Sequence, residues 1–374
     1  MIIRIEEIQN ACSKILSAVD ANAVSAVTET LQLSTEGKYL YISVTNREYY
    51  ARVKIPMNEE IDFVATVNAN LFLKLVSQIT TETIELTVDG STLILKGNGT
   101  YKLPVIFDGD KMLELPEITI DNPTVKFDID SNILLSILNY NSKELNKGVI
   151  SKPIQKLYYV DDSGAITFTT GACVNNFKLD KPVKMLLNDR LVKLFKLFKG
   201  EQVEFTLGYD PISEDTIQTK VRFASDNIII TAILSCDDTM LQQFPVEAVR
   251  SRATSNYPYS INVNKDQLIQ TINRLLLFTS ATGAKDIVNP YSSFEFMKDK
   301  MIIWDTNHEN FEEIYYTNTD CNISDKYSTM FDLRDLRTTL ENCSEQYVAL
   351  NFGDEQALVV VRGNVSVVVP ECRI

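Results

Sequence analysis

Ile2-Ile-Arg-Ile-Glu-Glu-Ile-Gln-Asn-Ala-Cys-Ser-Lys-Ile-Leu16 reads as a short alternating strand running straight into an amphipathic helix. The pattern returns at Val125-Lys-Phe-Asp-Ile-Asp-Ser-Asn-Ile-Leu-Leu-Ser-Ile-Leu138 and again at Ile261-Asn-Val-Asn-Lys-Asp-Gln-Leu-Ile-Gln-Thr-Ile272. The starts at 2, 125 and 261 lie 123 and 136 residues apart. A second element recurs in the same order: a strand, an Asn or Asp, then a helix. Its copies are Phe63-Val-Ala-Thr-Val-Asn68-Ala-Asn-Leu-Phe-Leu-Lys-Leu-Val76, Met185-Leu-Leu-Asn188-Asp-Arg-Leu-Val-Lys-Leu-Phe195 and Thr329-Met-Phe-Asp332-Leu-Arg-Asp-Leu-Arg-Thr-Thr-Leu340. Asn68, Asn188 and Asp332 suit an N-cap, where a side-chain oxygen accepts from a first-turn N–H.

Two elements, each three times and in one order, argue for an internal repeat. The 374 residues then divide into three α+β units of about 125 residues. Turn-forming clusters at Asp121-Asn-Pro123 and Ser251–Pro258 set the boundaries, giving units 1–122, 123–252 and 253–374. Each unit carries two helices packed on antiparallel sheets. Strand-rich stretches follow the second helix of each, opening at Ile84, Val203 and Tyr347. Asp89-Gly90 suits a type I′ hairpin turn, and Gly97-Asn-Gly99 reads as another turn between strands.

Composition narrows the function. Hydrophobic residues make up 45% and charged ones 23%, so a full core can form without staples. No apolar run approaches the roughly 18 residues that span a bilayer, and the acidic start lacks a signal-peptide h-region. Cys12, Cys173, Cys236, Cys321, Cys343 and Cys372 are scattered without a C-x-x-C pair, which fits reduced thiols in a cytosol rather than zinc or redox chemistry. The single histidine, His308, sits in a polar, loop-like stretch, and any Ser-His or Cys-His site would have to use it. There is no P-loop and no dinucleotide fingerprint. No cofactor or metal is implied, and the residues favour a scaffold or binding protein over an enzyme. The 50 acids against 36 bases give −14 and a pI near 4.7, at first sight hostile to nucleic acid.

In Arg190-Leu-Val-Lys193-Leu-Phe-Lys196-Leu-Phe-Lys199, helical spacing puts Leu191, Leu194, Phe195 and Phe198 on one face and the four bases on the other, with no acid among them. A solvated amphipathic helix explains such a face too, but usually mixes signs. Lys14, Lys74, Lys143, Lys147, Arg274, Arg334 and Arg337 also lie on or beside expected helices.

The ordered set of repeats, Phe244-Pro245 before the basic Val249-Arg250-Ser-Arg252, and the tail Val367-Val-Val-Pro370-Glu-Cys-Arg373-Ile374 together resemble the bacterial DNA sliding clamp family, the beta subunit of DNA polymerase III. The resemblance covers the whole chain. It implies a non-enzymatic processivity factor: a head-to-tail homodimer ring, helices inside, duplex DNA threaded through without sequence preference. Twelve helices at about 10 Å spacing would leave a hole of roughly 28 Å, wide enough for a hydrated duplex. The basic residues named above would then face the DNA.

The resemblance also implies a ring seam between first and third units. On that basis Lys96, Tyr101 and Lys102 would meet Leu277, Phe278, Glu309, Glu312 and Glu313, although a solvated loop also explains the acids. It implies further a cleft that takes hydrophobic peptides from the polymerase and clamp loader. Its walls would be Thr170, Cys173, Val174, Pro245, Val249, Val367, Val369, Pro370 and Arg373, unless the valines simply form a core strand. The chain departs from the family at Thr170-Gly-Ala-Cys173-Val174-Asn175, which lacks the usual His and Arg, at Glu371 and Cys372, and at Val24-Ser-Ala-Val27. These departures suggest a divergent clamp of phage or plasmid origin, acting in the host cytoplasm or nucleoid, with altered peptide preference. The competing readings are a repeat-built scaffold, such as a phage structural protein, that does not encircle DNA, and an acidic enzyme.

Overall fold

The computed structural model describes residues 1–19, 25–145, 150–213, 216–234, 238–279, 291–319, 323–353 and 357–372. Val24, Lys147, Cys236, Cys321, Arg373 and Ile374 lie outside the described residues. The six strand-to-helix elements all form. Ile2–Arg4 leads into α1 (Ile5–Ile15) and Val64–Asn68 into α2 (Ala69–Ser77). Pro123–Asp130 leads into α3 (Ser131–Ser136) and Lys184–Asn188 into α4 (Asp189–Lys193). After α5 (Val246–Thr254), Tyr259–Asn264 leads into α6 (Lys265–Thr279) and Tyr327–Asp332 into α7 (Leu333–Glu341).

The three caps form as expected. Asn68 Oδ1 accepts from the Leu71 N–H at 2.9 Å and Asn188 Oδ1 from the Leu191 N–H at 2.9 Å. Asp332 Oδ1 accepts from Arg334 and Asp335 at 2.8 and 3.4 Å. The first hairpin differs by one residue from expectation. Asp89 pairs with Thr92, so the turn falls on Gly90-Ser91, and only Gly90 is left-handed, with φ 57°. Glycine alone at the first central position is the type II′ pattern, which leaves Ser91 unstrained.

The chain separates into two compact units, Met1–Leu134 with Lys193–Asp237, and Leu135–Val192 with Asp238–Ile374. Both cut through the second repeat because strand pairing crosses repeats. In the first unit, Ile228–Ile233 of the second repeat pairs antiparallel with Tyr49–Pro56 of the first, with Ile230 opposite Ala51. This seam builds an eight-stranded sheet from Pro123–Asp130 at one edge to Val64–Asn68 at the other. A four-stranded sheet, Ile2–Arg4, Thr83–Asp89, Thr92–Lys96 and Thr100–Pro104, completes the first repeat. Gln9 on α1 donates to the carbonyls of Val76 and Ile79, tying α1 to the end of α2. Ile8, Phe72, Phe195, Phe205 and Phe223 are fully buried.

A connecting strap crosses the eight-stranded sheet between the repeats. Thr66 Oγ1 donates to Leu113 O at 2.6 Å, and Lys220 Nζ donates to Thr119 O at 2.8 Å. Buried Asp210 accepts from the N–H groups of Asp121 and Asn122 and pairs with Lys220 at 2.9 Å. Gly208 lets the strap approach: a Cβ there would lie 2.2 Å from Ile120 Cγ2.

In the second unit, Ala172–Asn176 of the second repeat pairs antiparallel with Val365–Pro370 of the third, Cys173 opposite Val367. The result is a nine-stranded sheet from Lys184–Asn188 to Asn318–Thr319. A second sheet holds Phe311–Tyr315, Lys300–Trp304, Tyr291–Phe296 and Tyr327–Asp332. A π turn over Ile137–Asn141 follows α3 and carries the fully buried Asn141. Its amide donates towards Ala165 O and Cys173 O, and its oxygen accepts from Asn175 at 3.3 Å, satisfying a polar group that would otherwise destabilise the core.

The strap generates a prediction. Burial raises the Asp210 carboxyl, but Lys220 and the Asn122 and Asp121 N–H groups outweigh it and hold the group below the ordinary aspartate range. A depressed folded value stabilises the fold above the unfolded value of about 3.9, and that contribution is lost as pH falls through the folded value. Lys220→Met, which leaves Asp210 charged and buried, is expected to cost about 3 kcal/mol in urea unfolding at neutral pH. Asp210→Asn is expected to flatten the stability loss below about pH 4.

Candidate nucleic-acid and partner interfaces

The basic segment takes a tighter form than an α-helix. After α4, Leu194–Phe198 winds as a 3₁₀ turn. At three residues per turn, positions i and i+3 eclipse. Lys193, Lys196 and Lys199 therefore stand in one row, and all three are exposed, as is Arg190. The other two rows, Leu191, Leu194 and Leu197 and then Val192, Phe195 and Phe198, are buried. Val192 and Leu197 were missed by helical spacing because a period of 3.6 places them nearer the polar side.

The remaining basic candidates are distributed over both units. In the first unit, Lys14 closes α1 and pairs with Glu201 at 3.3 Å. Lys74 is exposed on α2 beside a groove of about 470 Å³ between α1 and α2. Asn10, Ser13, Asn70 and Ser77 also line this groove, and Cys12 and Leu73 are buried beneath it. Burial pushes the Cys12 thiol up to about 12, so it stays protonated near neutral pH. Among the described residues, Cys12, Cys173, Cys343 and Cys372 form no disulfide. In the second unit, Lys143 is exposed, Arg334 lies 3.5 Å from Asp332, and Arg337 lies 3.5 Å from Glu341. Arg274 makes a two-pronged pair with Glu312, both contacts 2.6 Å.

That pair joins a DNA candidate to a seam candidate. Arg274 holds the Glu312 carboxyl below the usual glutamate range, and Lys300 does the same for Glu313 from 2.6 Å. Glu309 is exposed in the adjoining turn. Two seam acids thus already have partners in their own chain. The strands themselves have free geometry: Thr100–Pro104, bearing Tyr101 and Lys102, and Phe311–Tyr315, bearing Glu312 and Glu313, are both outermost in their sheets. Lys96 pairs with Glu85 at 3.1 Å on the neighbouring strand. Leu277, Phe278, Phe311 and Tyr315 are exposed apolar side chains in the second unit. Phe311 and Tyr315 escaped the sequence reading because alternation in a short edge strand does not say which face is covered.

The expected peptide cleft is only partly open. Strand pairing brings Thr170, Cys173 and Val174 beside Val367, Val369 and Pro370, and α5, which carries Val249 and follows Pro245, packs on both strands. Cys173, Val367 and Val369, however, belong to the core of the third repeat, and Val174 is buried as well. These four are core rather than accessible walls, because each strand here is covered on both faces. Thr170, Pro245, Val249 and Pro370 keep exposed surface. A depression of about 20 Å³, room for about one water, lies among Thr170, Gly171, Pro370 and Thr339, with Glu144 and Asp335 also in its lining. The sequence reading did not include those two carboxylates, since they come from separate helices.

His308 is exposed in a left-handed turn, φ 56°, with Nε2 3.0 Å from Ser293 Oγ. Asp305 directs its carboxylate to the Glu309 N–H and the Asn310 amide, so it braces the turn rather than the imidazole. No group of three or more His, Cys, Asp or Glu among the described residues is placed to hold a metal ion, and no described helix is long and apolar enough to cross a membrane.

Residues 1–111 match the family described as DNA polymerase III beta subunit, N-terminal domain. The match covers about the first third of the chain, and the whole chain has the fold of the solved beta clamps. A solved DNA polymerase III subunit beta from Pseudomonas aeruginosa is similar at a TM-score of 0.78 and 14% identity, covering 100% of both chains. The DNA polymerase sliding clamp of Bacillus subtilis is similar at 0.77 and 16%, covering 100% of this chain and 98% of that one. The Helicobacter pylori beta clamp, solved with a DNA ligase peptide, is similar at 0.75 and 14%, covering 100% and 99%. No curated protein matches by sequence. At such identities the likeness is one of architecture.

An ion pair helps to anchor α5. Arg250 on α5 donates to Asp161 Oδ1 at 2.7 Å, and the same oxygen accepts from the Ser163 N–H and hydroxyl and the Gly164 N–H. Burial raises the Asp161 carboxyl, but these donors more than offset it and hold it below the usual aspartate range. Arg250→Met is expected to lower stability by about 2 kcal/mol in thermal unfolding, because a largely buried carboxylate loses its charged partner. Asp161 then loses its contribution as pH falls below about 4, and Asp161→Asn should remove that acid sensitivity.

Proposed function

We propose that this chain is a DNA sliding clamp: a non-catalytic processivity factor that closes as a homodimer around duplex DNA and tethers a replicative polymerase. The observation that carries this reading is the aligned row Lys193, Lys196 and Lys199, with Arg190 before it, on a segment whose other two rows are wholly buried. In a chain of −14, an exposed row of bases with no acid between Arg190 and Lys199 in the sequence suits phosphate. The contact needs no base reading, so it is expected to be sequence-independent and salt-sensitive. The outermost strands Thr100–Pro104 and Phe311–Tyr315 are suited to pair between subunits and close the ring, with Leu277, Phe278 and Phe311 as apolar seam. Three clamp repeats per chain would be 1–122, 123–252 and 253–374. Polymerase and clamp loader would dock by a hydrophobic peptide at Thr170, Pro245, Val249 and Pro370; the Helicobacter clamp of the same fold was solved bound to a DNA ligase peptide. The nearly closed depression implies that Pro370 and the Thr170–Gly171 turn move apart when a peptide enters.

Loading onto nicked circular DNA followed by linearisation tests the topology: the clamp should slide off once ends exist, whereas retention on linear DNA would refute encirclement. Replacing Lys193, Lys196 and Lys199 by Ala should weaken duplex binding and reduce the log–log salt slope by about 3, at roughly 0.9 per phosphate contact. The alternative, a scaffold of the same repeats that does not encircle DNA, is separated by light scattering. A clamp should run near 85 kDa, twice the 42.3 kDa chain, and a stable monomer would favour the scaffold.

A further inference from the structure

We propose that Glu201 is a built-in counter-ion that weakens the grip of the first unit on duplex DNA, so that removing its charge makes the protein bind DNA more tightly. The inference rests on the sliding-clamp reading and concerns the same surface. From Arg190 to Lys199 the segment has four bases and no acid, and Glu201 is the first acid beyond it. Its position is set by the backbone. Gly200 adopts φ 78°, and the Glu201 N–H returns to Phe198 O at 2.9 Å, which turns the chain back onto the end of the lysine row. There Glu201 Oε1 meets Lys14 Nζ at 3.3 Å. Lys14 comes from the first repeat and Glu201 from the second, so the pair spans the two repeats within one compact unit. Lys199 is two residues away, its Cα within about 7 Å of that of Glu201. One carboxylate therefore holds Lys14, which would otherwise be offered to phosphate, and stands two residues from Lys199.

Two effects follow, with the same sign. The carboxylate occupies Lys14, and its charge repels a phosphate approaching Lys199. Both carboxylate and amine stay partly exposed, with side-chain accessibilities of 19% and 36%, so the pair is close enough to solvent to compete with DNA. A protein that holds DNA by topology stays on it without a tight electrostatic grip. An acid at the end of an otherwise uniform basic row loosens that grip. A purely structural staple between the repeats would use the same two residues but leave DNA binding untouched, and the two roles are separable.

The test measures fluorescence anisotropy of a labelled blunt-ended 30-base-pair duplex from about 50 to 200 mM salt, using the full-length wild type, Glu201→Gln, Lys14→Met and the double variant. Thermal unfolding and light scattering of each confirm that the fold and the assembly are kept. The expected result is that Glu201→Gln binds several-fold tighter at the lowest salt, with a log–log slope steeper by about 0.9 for one added phosphate contact. The double variant should lose that gain in slope, since the released cation is Lys14. Unchanged or weaker binding by Glu201→Gln, with the wild-type slope, overturns the proposal and leaves the pair a structural staple. Retention of the loaded wild type on linearised DNA would instead overturn the sliding-clamp reading, whatever Glu201→Gln does, so the two failures are distinct.

Discussion

Antiparallel pairing between strands of different repeats is the constraint on which the rest of the molecule depends. Each repeat taken alone would leave a long sheet edge open, a row of unpaired backbone donors and acceptors. Ile228–Ile233 closes one such edge against Tyr49–Pro56, and Ala172–Asn176 closes another against Val365–Pro370. The second repeat is thereby shared between two sheets, and its halves fall in different compact units. A one-residue slip at either seam would turn the core-facing residues outward, so the seams fix register as well as contact. Two outermost strands that no seam covers, Thr100–Pro104 and Phe311–Tyr315, come from the first and third repeats. The rule that joins repeats within the chain is thus available for joining one chain to another.

Local chemistry at the helix starts serves the same end. Asn68, Asn188 and Asp332 each cap a helix that leaves a strand without a linker, so strand direction dictates helix direction three times over. At Asn188 the consequence is largest. The segment that follows tightens to three residues per turn, and its apolar side chains form two rows instead of one stripe. Phe195 packs edge-on to Phe223 at 5.0 Å, and Phe198 lies on the same ring at 6.3 Å. With two rows committed to the core, the third is the only row left for polar side chains. Lysine at every third position is then a single file of charge rather than a fan.

Elements governed by short-range chemistry were legible in the sequence, and those governed by long-range pairing were not. The strand-to-helix pattern and the caps depend on residues within four of each other, and they could be read directly. The hairpin at Gly90 could be read as a hairpin, but its turn could not be placed, because Asp89-Gly90 and Gly90-Ser91 differ only in which residue takes the positive φ. The shared sheets were invisible, since nothing in Ala172–Asn176 names Val365–Pro370 as its partner. The cleft suffered from this most directly. Cys173, Val367 and Val369 look like a binding wall in sequence, yet the partner strand and the third-repeat helices cover them. Glu144 and Asp335 reach the same depression from remote helices, without any spacing that could have announced them.

The charge balance shows why a global sum misleads here. The total of −14 describes the average surface, but exposed charges separated by more than about 8 Å are largely screened at physiological ionic strength. A phosphate beside Lys196 responds to Lys193 and Lys199 on the same row, and hardly to acids on distant strands. What matters is therefore the local order of signs along the chain: four bases from Arg190 to Lys199, then Glu201. On the proposed reading the first four supply an attraction that the composition conceals. The fifth lies against a lysine from another repeat, so the charge at the end of the row depends on how the repeats are joined and not on the row alone.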